Sequence, residues 1–477
     1  MIPWRMLGSF LPAVLLAAGC VKPAASPARM DPPERFSGDG NAPRVDRWWT
    51  VFDDDGLNRA VDAALGENFS LAAAWDRLRQ AQAVARREGA PLAPSVDLSG
   101  EASRTATRRN DNTTHQNSFL TGLVVSYEVD LWGRIRTAHQ AARLDVQAAE
   151  QDLQAAAVTL SASVVNTWFR LAEASGQVRL IDEQTETNRQ VLELLRERFR
   201  QGKVKAADVL RQEQLMLNTQ GLATLARRRE QTFRHQLAVL MGRAPLAKTP
   251  LPQANLPAPG RLPQTGVPAE LMRRRPDVRR AYLRVLSQDR RLASAIAARY
   301  PRLSLSASLQ TSADKPRDLF DDWLSTLAAN VLHPLFDGGR LDAEEDRNRA
   351  ALSESFHDYA QTVLEAVQDV EDALAREDYQ QRFVRTLATQ LATADDVVQR
   401  TRTSYLNGQL DYIRVLEATT SRQSLERQYI TARRELLEFR VGLHRALAGP
   451  LPLQAPEPLS PTTATDHDPS VSDLMNP

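Results

Sequence analysis

The 477-residue chain predicts a mainly α-helical fold, duplicated internally, with paired strands of a length suited to a membrane β-barrel. Three observations carry this expectation: the placement of proline, a repeat near 207 residues, and a hydrophobic period that switches twice within each repeat. Of 27 prolines, seven lie in residues 1–45, seven between Pro245 and Pro268 and seven from Pro450 onward, so two long blocks hold only six. Proline lacks the N–H and clashes with the preceding turn, so blocks that avoid it read as helix. Aromatics at 6% and an interior rich in Ala, Leu, Gln, Arg and Glu fit long, closely packed helices. With 60 basic against 59 acidic side chains there is no bulk positive charge for nucleic acid. A mean hydropathy of -0.40, with one apolar run at the N-terminus, excludes a bundle of membrane-spanning helices.

That first run reads as an export signal. Arg5 precedes the apolar stretch Leu11 to Leu16, and the small residues Ala17, Ala18 and Gly19 lead to Cys20, the single cysteine. Leu-Ala-Ala-Gly-Cys resembles the bacterial lipobox, in which the cysteine becomes the lipidated first residue. Val21 follows where an aspartate would retain a lipoprotein at the inner membrane, which implies outer-membrane sorting. The expected divisions are therefore a signal peptide at 1–19 and a lipidated linker at 20–45. A first structural repeat follows at 46–244, a Pro-rich connector at 245–268, a second repeat at 269–449 and a flexible tail at 450–477.

The repeats align on punctuation. Asn68 pairs with Arg275 and Pro94 with Pro301 at an offset of 207, while Gly133-Arg134 pairs with Gly339-Arg340 and Gly202 with Gly408 at 206. Each repeat opens with a helical pattern, about Leu57 to Arg87 and Leu271 to Ala298. The period then falls to two: Val96, Leu98 and Gly100 alternate with polar residues, as do Leu303, Leu305, Ala307 and Leu309. A second alternating run follows, Phe119 to Tyr127 in one repeat and Trp323 to Val331 in the other, with polar loops expected at about Thr107–Asn117 and Thr311–Asp322. Strands of roughly ten residues suffice to cross a bilayer when tilted. Glu128 and Asp130 fit the non-lipid face of the second strand.

Helical periodicity then returns for a long stretch. Arg134 to Gly202 as one helix would run about 100 Å at 1.5 Å per residue. Leu352, Phe356, Tyr359, Val363, Ala366, Val370 and Ala373 step by four and three, as do Leu425, Tyr429, Ala432, Leu436, Phe439, Leu443 and Ala446, which is the spacing of a coiled-coil seam. Gly202 and Gly408 follow helix ends and predict αα-hairpin turns at the far tip.

Several motifs together are specific: the lipobox, Trp48-Trp49 with Phe52, the run Ser126 to Arg134, Arg274-Arg275-Pro276-Asp277-Val278, Pro334 to Arg340, and Tyr405-Leu406-Asn407-Gly408 leading to Asp411-Tyr412-Ile413 and Val415-Leu416-Glu417-Ala418. In this order, over about residues 45–450, the chain resembles the outer-membrane factors of the TolC/OprM family, the NodT-like efflux lipoproteins. The resemblance implies a homotrimer in which coiled-coil helices form an α-helical barrel joined to a shared 12-stranded β-barrel. Barrel closure points the same way, because four strands leave open edges in lipid and three copies supply twelve.

The implied function is the outer-membrane channel of a tripartite efflux pump, passively conducting drugs or other small molecules. Its partners would be a periplasmic adaptor and an inner-membrane pump of the RND type. The chain would be lipid-anchored at Cys20, with most of its mass in the periplasm. At the periplasmic tip the resemblance carries the family's first-hairpin tip aspartate onto Asp208, its second-hairpin tip tyrosine onto Tyr405 and the constricting apolar and acidic positions onto Ile413 and Glu417, with Arg414 offsetting part of the charge of Glu417; the alternative is that Glu417 only favours the positive N-terminus of the last helix, with Asp411 as its cap. Leu410 stands where some members carry a tying arginine. No enzyme is expected: histidines never fall at metal-ligand spacing, and no phosphate loop or G-x-S-x-G occurs. No cofactor is expected beyond the lipid. The competing readings are a type I protein-secretion duct and a structural periplasmic coiled-coil lipoprotein that forms no channel.

Overall fold

The computed structural model describes residues 33–110 and 112–455. The expected signal peptide and Cys20 lie outside the described residues. The first repeat opens with α1 (Asp55–Glu67) and α2 (Phe69–Gly89) rather than one continuous helix. The break is at Asn68, whose side-chain oxygen accepts from Leu71 N–H at 3.1 Å while its amide donates to the Leu240 carbonyl at 2.9 Å. The second repeat breaks at the equivalent point between α5 (Pro268–Arg274) and α6 (Pro276–Ala297) by different means. Pro276 occupies the first helical position, where its missing N–H costs nothing. Arg275 donates to Asp277 at 2.7 Å, Asp369 at 2.8 Å and the Ala366 carbonyl at 3.1 Å.

The strands are β1 (Ser95–Arg109), β2 (Asn112–Val129), β3 (Arg302–Ala313) and β4 (Leu324–Leu332), forming one antiparallel sheet in the order β1-β2-β3-β4. The expected loop at about Thr107–Asn117 is instead strand, since β1 and β2 stay paired out to Arg109 and Asn112. Polar residues there looked like a loop, but ladder pairing uses backbone groups that every residue carries. Thr311 also lies in a strand and is buried, so the second loop is shorter than expected.

Two rods follow the hairpins, α3 (Arg134–Arg200) and α7 (Arg340–Leu406), each of 67 residues. Each starts at a glycine of positive φ, Gly133 and Gly339, and each first turn is capped by an upstream carboxylate. Asp130 accepts from Ile135 N–H at 3.0 Å and Arg136 N–H at 2.8 Å, and Asp337 accepts from Leu341 N–H at 3.0 Å. Asp130 is therefore a helix cap beyond the end of β2 and not a side chain on a strand face. Glu128 stays on the strand and pairs with Arg134 at 2.9 Å.

The rods end in the same turn. Gly202 N–H bonds to Phe199 O and Lys203 N–H to Arg198 O, while Gly408 N–H bonds to Tyr405 O and Gln409 N–H to Ser404 O. These are two Schellman motifs, with glycine φ values of 71° and 75°. They lead into α4 (Ala206–Leu240) and α8 (Tyr412–Leu447), which run back along the rods.

The half of the molecule nearer the strands packs helices side by side in the order α2, α3, α6, α7; nearer the tip, α4 and α8 flank α3, and α8 packs on α7. The main core lies where these halves join, around Trp49, Phe52, Trp168, Phe169, Leu237 and Val441. The Pro-rich connector is fastened there, because Arg440 is buried against Glu377 and donates to the carbonyls of Pro259 and Arg261 at 2.6 and 2.7 Å. The linker and tail are less free than expected over their described parts. Ala42 pairs with Pro263, Phe36 and Leu451 are buried, and Leu451 N–H donates to Gln154 Oε1 at 2.7 Å. Apolar side chains spaced between prolines can still be buried where no regular element forms.

Candidate functional site

Alternation gives the sheet two unlike faces. The register aligns Val96, Val125, Ala307 and Leu327, and in the next same-face rows Leu98, Leu123, Leu309 and Ser325, then Tyr127, Leu305 and Ala329. On the first of these faces Leu98 and Leu327 are 77% and 84% exposed. The opposite face aligns Asp97, Ser99 and Glu101 on β1 with Val124, Gly122 and Leu120 on β2 and with Ser308, Gln310 and Ser312 on β3. Trp132 stacks on Tyr300 at 4.8 Å and donates to the Pro301 carbonyl at 2.8 Å, where strands meet helices. An aromatic pair with one polar handle is suited to a membrane boundary. Among the described residues, the outer edges β1 and β4 have no strand partner on their free sides.

At the other end, the two Schellman turns bring several of the expected residues together. Asp208 lies in the first turn of α4, half-buried, with Arg211 at 3.6 Å. The Tyr405 ring meets the Tyr412 ring edge-on at 5.5 Å. Burial pushes the Tyr412 hydroxyl pKa above the usual tyrosine range, and nearby Tyr405 and Asp208 push it the same way. Ile413 is half-buried and Asp411 is exposed. Asp411 stands at the N-cap position of α8, but its carboxylate accepts no bond from the first turn; Arg414 N–H instead bonds to the Asp411 backbone oxygen. Arg414 donates to Glu417 at 3.0 Å, so the two charges are joined on one exposed helix face.

Sequence reading missed the polar seam behind this tip. Tyr412 donates to Gln212 Oε1 at 2.7 Å, and Gln212 donates to the Asn188 carbonyl at 2.8 Å. The Asn188 amide reaches Thr219 at 3.0 Å, and Gln423 donates to Asn188 Oδ1 at 3.1 Å. Farther up, Gln184 accepts from Arg427 at 2.6 Å, and Gln177 donates to the Arg427 carbonyl at 2.8 Å. Burial lowers the Arg427 pKa. Buried polar groups at seam positions fix helix register at a cost in stability. The seam borders a groove of about 650 Å³ between α3, α7 and α8, lined among others by Leu195, Val398, Arg402 and Tyr405. Gln177, Gln184 and Asn188 keep the helical spacing of Ile181, and that spacing was the signal available.

The sequence pattern of the outer membrane efflux protein family matches this chain twice, over residues 60–243 and 267–449. The pyoverdine export outer membrane protein OpmQ of Pseudomonas aeruginosa is 30% identical over 92% of this chain and 96% of its own length. Nodulation protein T of Rhizobium leguminosarum bv. viciae is 27% identical over 97% and 96%. The solved structure of the outer-membrane channel OprN superposes with a TM-score of 0.82 at 26% identity, covering 88% of this chain and 98% of that one. With both repeats matched, the chain belongs to the outer membrane efflux protein family.

Proposed function

We propose that this protein works as a homotrimer whose twelve strands close one barrel, lipid-anchored at Cys20, with its helices extending into the periplasm. It is an outer-membrane channel of a tripartite efflux pump. The observation that carries the trimer is the amphipathic four-stranded sheet with two free edges, joined directly to 67-residue helices. An open edge in lipid leaves N–H and C=O groups unpaired at several kcal/mol each, so the edges must meet those of other copies. Eight strands would be filled by their own side chains, whereas twelve leave a lumen.

Conduction in this reading is passive, energised by an inner-membrane RND-type pump through a periplasmic adaptor, and the cargo is a small molecule such as a drug or siderophore. Ile413 and Glu417 form the constriction at the tip, with Asp208 and Tyr405 tying the hairpins. Glu417 attracts cations while Arg414 offsets part of its field. The test is expression in a bacterium lacking its own efflux channel. Outer-membrane fractions are expected to hold a trimer that dissociates only on boiling, and drug tolerance returns when the cognate adaptor and pump are supplied. A monomer in the soluble periplasmic fraction would overturn the reading. Mass spectrometry of the mature N-terminus is expected to find acylated Cys20; an unmodified Cys20 contradicts the anchor.

A further inference from the structure

We propose that the outer rim of the seam between copies is latched by ion pairing of Asp321, at the entrance to β4, with the arginines Arg104 and Arg108 of the next copy's β1. This rests on the trimeric barrel proposed above. The two edges to be joined differ in length, 15 residues in β1 and nine in β4. Within one chain, Leu324 pairs with Gln310, Gln310 with Gly122 and Gly122 with Ser99, which puts the start of β4 level with Ser99. β1 therefore continues ten residues beyond that level, to Arg109.

The register across the seam follows from barrel geometry. Four strands about 4.8 Å apart, tilted roughly 35–45° with a rise of about 3.3 Å per residue, slip the register by about four to six residues per copy. The slip must be even, because an odd value would set the apolar face of one edge against the polar face of the other. Its direction is fixed by the lengths. Slipping toward Arg109 pairs all nine residues of β4 with Ser95–Ser103 or Asp97–Thr105, whereas the opposite slip leaves β4 almost unpaired.

Asp321 lies three residues before Leu324, outside β4, and counted back along an extended chain either register carries it to the same cationic stretch. A slip of about four sets it opposite Ala106, flanked by Arg104 and Arg108; a slip of about six sets it opposite Arg108. All three charged residues are exposed. Neither Arg104 nor Asp321 has an ion pair among the described residues, whereas the neighbouring Asp318 is taken by Arg317 at 3.2 Å. Arg104, Ala106 and Arg108 continue the face of Val96 and Leu98 beyond Ala102, which pairs with Phe119, so the latch lies just outside the apolar band.

The experiment introduces Ala106→Cys and Asp321→Cys into the full chain in outer membranes and applies a short bismaleimide. Covalently linked trimer is expected, and none from a control pairing Val96→Cys with Asp321→Cys. Separately, Asp321→Arg is expected to lower the temperature at which the trimer dissociates, as is Arg104→Asp with Arg108→Asp, while the triple exchange recovers most of the loss. A trimer of the Ala106→Cys, Asp321→Cys chain that gives no covalent link, or a triple exchange no better than either one-sided charge reversal, overturns the latch and leaves the trimer standing. A wild-type monomer removes both.

Discussion

One hydroxyl and one imidazole illustrate how side chains set the properties of this molecule. Tyr412 is buried and donates to Gln212, whose other end holds the Asn188 backbone, so Tyr412→Phe leaves a buried acceptor without its donor. The expected loss is about 1–3 kcal/mol in thermal or denaturant unfolding. Tyr405→Phe, at a half-buried ring, should cost less than about 0.5 kcal/mol. Equal effects would contradict the assignment. His444 is stacked on Trp48 at 5.6 Å in the central core, and burial, with Arg440 nearby, lowers its pKa to about 4. An imidazole held neutral in the fold takes up a proton more readily when unfolded. Stability from this group is therefore full above about pH 6.5 and falls as pH drops toward 4, by a loss on the order of 3 kcal/mol. His444→Gln should flatten that part of the pH profile; parallel melting curves for parent and variant between pH 7 and 4 would show that another group sets the slope. Neither role was readable from the sequence: Tyr412 stood out only as part of the Asp411-Tyr412-Ile413 motif, and His444 lies beside the seam residue Leu443 without being one of its steps. What made them specific was the helix brought opposite.

Elements were readable to the extent that their periodicity is driven by burial. On α7, Val363, Ala366, Val370 and Ala373 are all buried, as their stepping predicts. Val370→Asp places a carboxylate at a fully buried position and should cost several kcal/mol, read as loss of folded protein; a folded variant with parent stability would mean that the seam is wet. The hairpin turns were readable because only glycine takes φ near +70° cheaply. A Cβ at Gly202 or Gly408 meets nothing within 4 Å, so Gly→Ala at either site measures backbone strain alone, about 1–2 kcal/mol each. A much larger loss would point to contacts with another copy in the proposed trimer. Strand length was not readable, because the outer part of the first hairpin pairs through its backbone while its side chains are polar. The break at Asn68 was hidden for a related reason: the apolar stripe continues across it from Leu57 to Leu78, although the backbone turns. The amide seam was missed because Gln184, Asn188 and Gln212 have the composition of a solvent-facing stripe until α8 covers them.

At the scale of the whole molecule, the duplication was readable because Pro, Gly-Arg and lone Gly recur at nearly constant offset, and the two rods of equal length follow from it. How the copies close was not, since free sheet edges state only that partners are needed. In the proposed function the assembled protein is a passive pore gated at its helical tip. Recording from purified protein in planar bilayers tests this most directly. Discrete, ohmic current steps are expected without nucleotide, with a cation preference that falls in Glu417→Ala and a higher closed-state conductance in Ile413→Ala. Intact trimers that pass no current would contradict the pore, and variants that conduct and select like the parent would contradict the placement of its gate.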